Sequence, residues 1–325
     1  MRLKNLGERK ILEKIIFPYL DTEENELDID DDAVAYIISA KKYLVVNIDT
    51  FVRKTDAPPQ MNYFQMGVKT VIMAISDIVA KGAIPRWFLL SVVVPSDLDE
   101  NELKEIIRGV KKTCEEYNVS FSGGDLGEAD DVILTGVALG IASRVVPRNG
   151  ARPGDTVWST GEFGLTGAAL HYLLKGGQGG NIIDRLKEAF FYPRIDVRVG
   201  SIISRIASSS MDSSDGLAIT LNTIARKSGV KITLDRIPIA KEALSYAKYN
   251  NINPLSLALY GGEEFEIIFT VSNLSDREVL RIFDDMGLKP PIRIGIVEKG
   301  SGVFYKEMEI PEKGWEHFTT QGESE

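Results

Sequence analysis

At 325 residues the chain is longer than one ordinary core organises, and it fits two domains. Hydrophobic residues at 44% and charged residues at 26% are values of a globular protein in water. A net charge of −9 without a Lys/Arg cluster argues against a nucleic acid or an anionic membrane as partner, and it is compatible with bound divalent cations.

No stretch approaches the roughly 18 to 20 continuous apolar residues that span a bilayer, and the first ten residues contain no signal-like apolar run. The expected location is the cytoplasm. The single cysteine, Cys114, continues the stripe Leu103, Ile106, Ile107, Val110 at helical spacing, the pattern of a buried structural thiol. Within one chain it supports neither a disulfide framework nor a thiolate metal site.

In chain order, residues 1–25 read as a helix carrying Ile11, Leu12, Ile15 and Ile16, followed by an acidic turn. Four aspartates (Asp28, Asp30, Asp31, Asp32) then form a solvated loop, anchored by the apolar residues behind it. Leu44 to Val52 is a strand with Asp49 in its middle, although Asp is depleted in strands. Met61 to Ala80 reads as a long helix, closed by Lys81-Gly82 and Pro85. On it Met66, Thr70, Met73 and Asp77 recur at spacings of four, three and four, which puts Asp77 on the apolar seam. A carboxylate there is costly unless it is paired or binds a metal.

Phe88 to Val94 reads as a strand, Asn101 to Tyr117 as an amphipathic helix, and Val132 to Ala142 as another strand. Val119 to Asp125 reads as a short strand breaking into a glycine turn tipped by the acid. Pro and Gly cluster from Pro147 to Asp155, so the expected domains are 1–147 and 148–325. Beyond the junction the pattern predicts a strand at Thr156–Thr160 and a helix at Leu165–Leu174. The glycine-rich loop Lys175–Asn181 lacks the Gly-Lys-Ser/Thr ending of a phosphate cradle and reads as a flexible connection. Helices are predicted at Ile183–Phe191, Val197–Ser208, Lys241–Lys248 and Ser275–Met286, with strands at Ile232–Leu234, Phe265–Val271 and Ile292–Val297. Strands and helices mix throughout both halves, which indicates α/β or α+β organisation.

The run Ser208 to Leu221 places Asp212 and Asp215 three residues apart at the entrance of a helix carrying Leu217, Leu221 and Ile224. Read alone, Ser214 or Asp215 is an N-cap and Asp212 a turn residue. Asp32, Asp49, Asp77, Asp125, Asp212 and Asp215 nevertheless all sit where the fold would prefer a neutral or apolar residue. Six such acids repel one another if they converge, and cations hold such a cluster together. With only His171 and His317 available, oxygen-ligated hard cations are the natural choice, Mg²⁺ above all. Several Mg²⁺ ions held by aspartates describe a phosphoryl-transfer site. The pairs Gly123-Gly124 and Gly261-Gly262, each followed by an acid, either bring backbone close to a ligand or form plain turns.

The ordered motifs Asp31-Asp32-Ala33, Asp49-Thr50, Ile75-Ser76-Asp77 with Gly82-Ala83 and Pro85, Gly123-Gly124-Asp125, Gly150 to Asp155, Asp212 to Leu217 and Gly261 to Glu266 together resemble the thiamine-monophosphate kinase family. That family lies within the aminoimidazole-ribotide-synthetase-like superfamily, and the resemblance runs from about residue 1 to residue 318. It implies a two-domain α/β (α+β) fold whose N-terminal domain pairs with its copy as a homodimer around a shared β-barrel, with a C-terminal α/β domain. It implies direct transfer of the ATP γ-phosphate to thiamine monophosphate with several Mg²⁺ ions. Carried over, Asp32, Asp49, Asp77, Asp125, Asp212 and Asp215 are Mg²⁺ ligands, and Ile48 contributes only its backbone carbonyl. Tyr117, Gly124, Asp125, Arg148 and Ser214 contact ATP, with Arg148 meeting phosphate charge. Glu263 accepts from the aminopyrimidine and Trp315 stacks on the cationic thiazolium.

The sequence departs from the family pattern at two places. Asp30 stands where a glycine usually precedes the paired aspartates, and Asp56 stands where bacterial members carry a substrate-facing histidine, with Arg53 and Lys54 as alternatives for its contact. Rival superfamily readings fit less well. Selenophosphate synthetase needs a reactive Cys near the N-terminus and the hydrogenase-maturation member needs a C-terminal Cys, whereas this sequence ends Thr320-Gln-Gly-Glu-Ser-Glu325. A bare nucleotide-binding module needs no six metal-ligand acids.

Overall fold

The computed structural model describes residues 3–315. Its first segment is a series of short helical turns, Leu3–Asn5, α1 (Glu8–Ile11), Leu12–Ile16 and Phe17–Tyr19, rather than one helix. Pro18 in the last of these has no backbone N–H to continue a longer ladder.

The first half then comprises β1 (Val34–Ser39), β2 (Lys42–Val52), the single turn α2 (Arg53–Asp56), α3 (Tyr63–Ala80), β3 (Ile84–Val94), α4 (Glu100–Glu116), β4 (Ser120–Glu128) and β5 (Ile133–Ala142). The strands form one sheet in the order β1-β2-β5-β3-β4, with β3 and β4 parallel. The Asn62–Gln65 capping box starts α3, and most of its circumference is buried. By length and composition α3 is the one described helix apolar enough to cross a membrane, but 78% of it is buried inside the protein. It is the core helix of this half, packing Val71, Ile72, Ile75 and Ile78 with the sheet residues Val45, Phe51, Phe88, Leu90 and Leu134.

Side-chain alternation along β2 puts Asp49 on the same face as buried Val45, Asn47 and Phe51, toward α3. The next row across the sheet, Thr50, Thr135, Ser91 and Asp125, lies on the outer face, where the Thr50 and Thr135 hydroxyls are 3.0 Å apart. This corrects the glycine turn expected near Asp125: β4 runs straight through Gly123 and Gly124. A register shift opposite Phe88 and Leu89 accommodates Gly123 at φ 150°. Gly124 lies so close to β3 that an added Cβ would fall 1.8 Å from the Leu90 carbonyl oxygen.

The second half comprises β6 (Thr156–Ser159), α5 (Leu165–Lys175), α6 (Ile182–Phe191), α7 (Val199–Ile206), β7 (Ala207–Asp212), α8 (Leu217–Ser228), β8 (Lys231–Leu234), α9 (Lys241–Asn250), α10 (Pro254–Tyr260), β9 (Ile267–Val271), α11 (Asp276–Asp285), β10 (Ile292–Glu298), β11 (Gly302–Tyr305) and β12 (Met308–Glu309). Its seven strands follow the order β12-β11-β8-β10-β6-β9-β7. One apolar cluster packs α8 on this sheet around Leu221 and Ile224, and another packs α7 and α11 around Phe269 and Phe283.

Several expectations shift here. The helix predicted to reach Ser208 stops at Ile206, and the serine-rich run is β7, paired with β9 so that Asp212 ends the strand opposite Ile267. Gly216, at φ 112°, is the N-cap of α8, and no side chain caps it, so neither Ser214 nor Asp215 plays that part. The strands β1, β11 and β12 and the helix α10 add to the predicted set. Neither sheet closes on itself among the described residues, so a barrel is not formed by one chain. His317 and the tail Thr320–Glu325 lie outside the described residues.

Candidate metal and substrate site

Three elements deliver one carboxylate each to a single point. Asp32 comes from the acidic loop, Asp77 from α3 and Asp212 from the end of β7, and one oxygen of each lies within 4.8 Å of the others. Asn47 on β2 ties two of them together, its Nδ2 donating to the Asp77 carboxylate at 2.7 Å and to the Asp32 backbone oxygen at 2.9 Å. Ser76 Oγ donates to Asp212 at 2.5 Å.

Burial, followed by the charges of Asp212, Asp32 and Asp49, pushes the Asp77 carboxyl well above the usual range. Burial and Asp32 push Asp212 up to about 7. Asp215 is likewise raised to about 7, by burial first and then by Glu8, Asp212 and Asp49. The charge of Asp49 is thus felt by Asp77, Asp212 and Asp215, and that of Asp212 by Asp215. The set is all-oxygen, and the buried Asn47 Oδ1, Ser210 Oγ and Ser213 Oγ lack a hydrogen-bond partner among the described residues. Crowded carboxylates beside unsatisfied oxygens fit a hard cation.

Protein cations hold the other side of the loop. Fully buried Lys81 sits 2.6 Å from both Asp31 and Asp32 and donates to the Ser210 carbonyl at 2.7 Å. Arg148 pairs with Asp32, donates from its backbone N–H to Asp31 at 3.1 Å, and donates from Nη1 to the Asp30 carbonyl at 2.6 Å. Against the cost of burial, Arg148 and Lys81 together hold the Asp32 carboxyl below its ordinary value. Asp30, the departure from glycine, is absent from the residues with positive φ, and its side chain pairs with Lys227. The loop therefore needs no glycine at this position.

Glu263 and Trp315, the residues expected at the substrate end, lie beside Asp212–Asp215. The Glu263 N–H donates to the Ser214 carbonyl at 2.6 Å, and the Trp315 N–H donates to the Asp215 carbonyl at 3.3 Å. Gly262 packs so closely on Ser214 that a Cβ would fall 2.5 Å from its carbonyl oxygen. Glu263 takes φ 68°, a conformation uncommon for a residue with a side chain. Its carboxylate meets the buried Nζ of Lys69 at 2.5 Å.

Asp56 is corrected. Its carboxylate accepts from the Val52 N–H of its own turn at 2.7 Å, while Arg53 and Lys54 line a cleft of about 610 Å³ with Pro58, Met61 and Asp131. Three expected residues, Gly124, Asp125 and Tyr117, are not brought to the acid cluster within one chain. Gly124 and Asp125 lie on edge strand β4, whereas Ile48 stands between Asn47 and Asp49 on β2 with its side chain exposed. Tyr117 closes α4, accepts from the Ile195 N–H at 3.3 Å, and lines a separate cleft of about 470 Å³. Asn47, Lys69, Ser76 and Lys81 escaped the sequence reading. Asn47 alone left a signal, as a polar residue in the strand register of Asp49.

The models for AIR synthase related protein, N-terminal and C-terminal domains, match residues 30–142 and 152–306. The thiamine-monophosphate kinase of Pyrococcus horikoshii is 37% identical across 94% of this chain and 95% of the relative. That of Nitrosopumilus maritimus is 34% identical across 87% and 91%. Among solved structures, AaThiL complexed with AMPPCP and TMP superposes with a TM-score of 0.86 at 30% identity, covering 98% of this chain and 99% of that one. The hydrogenase maturation protein HypE in complex with ATP shares the fold alone, at 18% identity and a TM-score of 0.63 over 90% and 86%.

Proposed function

The chain belongs to the thiamine-monophosphate kinase family, and on that premise we propose that it transfers the γ-phosphoryl group of ATP directly to the phosphate of thiamine monophosphate, giving thiamine diphosphate and ADP. The observation that carries this reading is the convergence of Asp32, Asp77 and Asp212 within 4.8 Å, next to the Glu263 loop. Mg²⁺ held there supplies charge neutralisation and alignment of the transferring phosphoryl group.

Asp32, Asp77 and Asp212 form the heart of the ligand set, joined by Asp49, Asp215 and the Ile48 carbonyl. Arg148 and Ser214 meet the ATP phosphates. Glu263 accepts from the aminopyrimidine, and Trp315 offers its indole face to the thiazolium. Arg53 and Lys54, rather than Asp56, supply positive charge at the substrate phosphate. No Cys or His nucleophile is assigned among these residues, so their work is positioning and charge balance.

The working unit of this reading is a homodimer in the cytoplasm. The outer face of the five-stranded sheet leaves Val34, Tyr36, Ile48 and Trp87 exposed, and apolar sheet faces are normally covered. A second copy packed there closes the two open sheets into a shared barrel. It also places Gly124 and Asp125, which belong to the ATP and metal set, at the junction between copies; Tyr117 completes the ATP set. The boundary between the two domains falls at residues 147/148, in the connection from β5 to β6.

The test is a turnover assay with purified protein, ATP, Mg²⁺ and thiamine monophosphate, with free thiamine as control. Thiamine diphosphate formed from the monophosphate alone is the expected result. ATP binding without product from either would move the chemistry to another substrate.

A further inference from the structure

Lys69 is a lysine with no solvent exposure, in the middle of the core helix α3. A buried ammonium is costly unless paired. Its Nζ lies 2.5 Å from Glu263 and 4.1 Å from the centroid of the Phe190 ring, so a carboxylate and a ring face offset that cost together. Glu263 lies 194 positions further along the chain, in a loop whose φ of 68° needs outside support. That support has two anchors, the backbone bond to Ser214 and the side-chain pair with Lys69. The Glu263 side chain keeps 28% of its exposure, which leaves it open to a ligand while Lys69 holds it from within.

Lys69 stands eight residues before Asp77 on one continuous helix, roughly 12 Å along its axis. One rigid element therefore carries both a metal-cluster acid and the anchor of the Glu263 loop. We propose that Lys69 is a positioning residue: its ammonium fixes the Glu263 carboxylate as the acceptor for a hydrogen-bond donor on the substrate ring, at a distance from the acid cluster set by α3. This inference rests on the substrate reading above, and it adds a residue that touches neither substrate nor metal.

The experiment measures steady-state constants for both substrates in wild type, Lys69→Met, Glu263→Gln and the double variant. Lys69→Met is expected to raise KM for thiamine monophosphate about tenfold or more, with KM for ATP within about twofold. The double variant is expected to be no worse than the weaker single, because Lys69 acts only through Glu263. An unchanged KM for thiamine monophosphate, an equal rise for ATP, or additive effects in the double variant would overturn the proposal. Where Lys69→Met does not fold, Lys69→Gln keeps a donor without charge; a raised KM then supports the inference and a wild-type KM overturns it. A wild type that turns over no thiamine monophosphate sinks the substrate reading, whereas wild-type turnover with an unaltered KM in the variants sinks only the role of Lys69.

Discussion

Lys81 Nζ lies 2.6 Å from Asp31 Oδ1, and neither side chain has any solvent exposure. The same ammonium reaches Asp32 and the Ser210 carbonyl, so one residue at the end of α3 joins the acidic loop to β7. This is why a loop with four aspartates in five positions can be ordered next to further acids. The aspartates of the loop are balanced from behind by lysine and arginine.

Removing that balance should be expensive. Lys81→Met leaves two buried carboxylates with Arg148 as their only cation, a loss of up to about 3 to 5 kcal/mol by analogy with other broken buried pairs. Urea denaturation should show it as a lower midpoint at constant slope, and adding Asp31→Asn should recover part of the loss. Wild-type stability in Lys81→Met would mean that Arg148 alone holds the loop.

Asp212→Asn and Asp49→Asn keep side-chain volume and remove a metal oxygen. Turnover should fall by more than about 100-fold in each, with an unaltered circular dichroism spectrum. Wild-type rates in either variant would break the metal assignment.

Trp315→Ala should raise KM for the thiamine substrate several-fold, in keeping with a cation–π contact of roughly 1 kcal/mol. An effect seen only on ATP places the indole at the wrong end.

Stability should fall as pH rises through the neutral range, for a reason separate from the metal. Burial pushes Glu264 up to about 8, even though its carboxylate accepts from the Gly164 N–H at 2.6 Å, and Glu266 up to about 7. Above the ordinary glutamate value of 4.5 the unfolded chain releases these protons while the folded chain keeps them. The folded state is therefore progressively disfavoured until each group ionises at its raised value. Denaturation midpoints for Glu264→Gln should match wild type near pH 5 and exceed it near pH 8.5. Equal midpoints at both values would show that Glu264 does not hold a proton.

The dimer is tested by sedimentation. Ile48 is 68% exposed on the outer sheet face, and Ile48→Glu should yield a monomer that keeps its secondary structure. A persistent dimer would move the interface elsewhere.

Much of the acid cluster was legible because a carboxylate stands out in an apolar pattern. Asp77 on its helical seam and Asp49 in its strand announced themselves by being out of place. The role of β4 was hidden, since Gly-Gly-Asp reads as a turn and only parallel pairing with β3 makes it a strand. The same pairing decides which face Asp125 takes, and a register shift erases that from local periodicity. The serine-rich β7 lacks β-branched residues and becomes a strand through its ladder to β9. Lys69 and Lys81 were invisible for a different reason. A lysine on a helix usually extends its stem to water, and the carboxylates that keep these two inside are remote in sequence.

The helix that carries Lys69 and Asp77 also limits how this chain can change. One residue inserted between them would turn one end by about 100° against the other and lengthen the gap by about 1.5 Å. Such an insertion leaves the capping box in place but turns the buried residues on one side of the inserted position out of register with the sheet, and it shifts Lys69 relative to Asp77. The eight-residue interval therefore cannot gain or lose length without moving Lys69 and its partner Glu263 relative to the acid cluster.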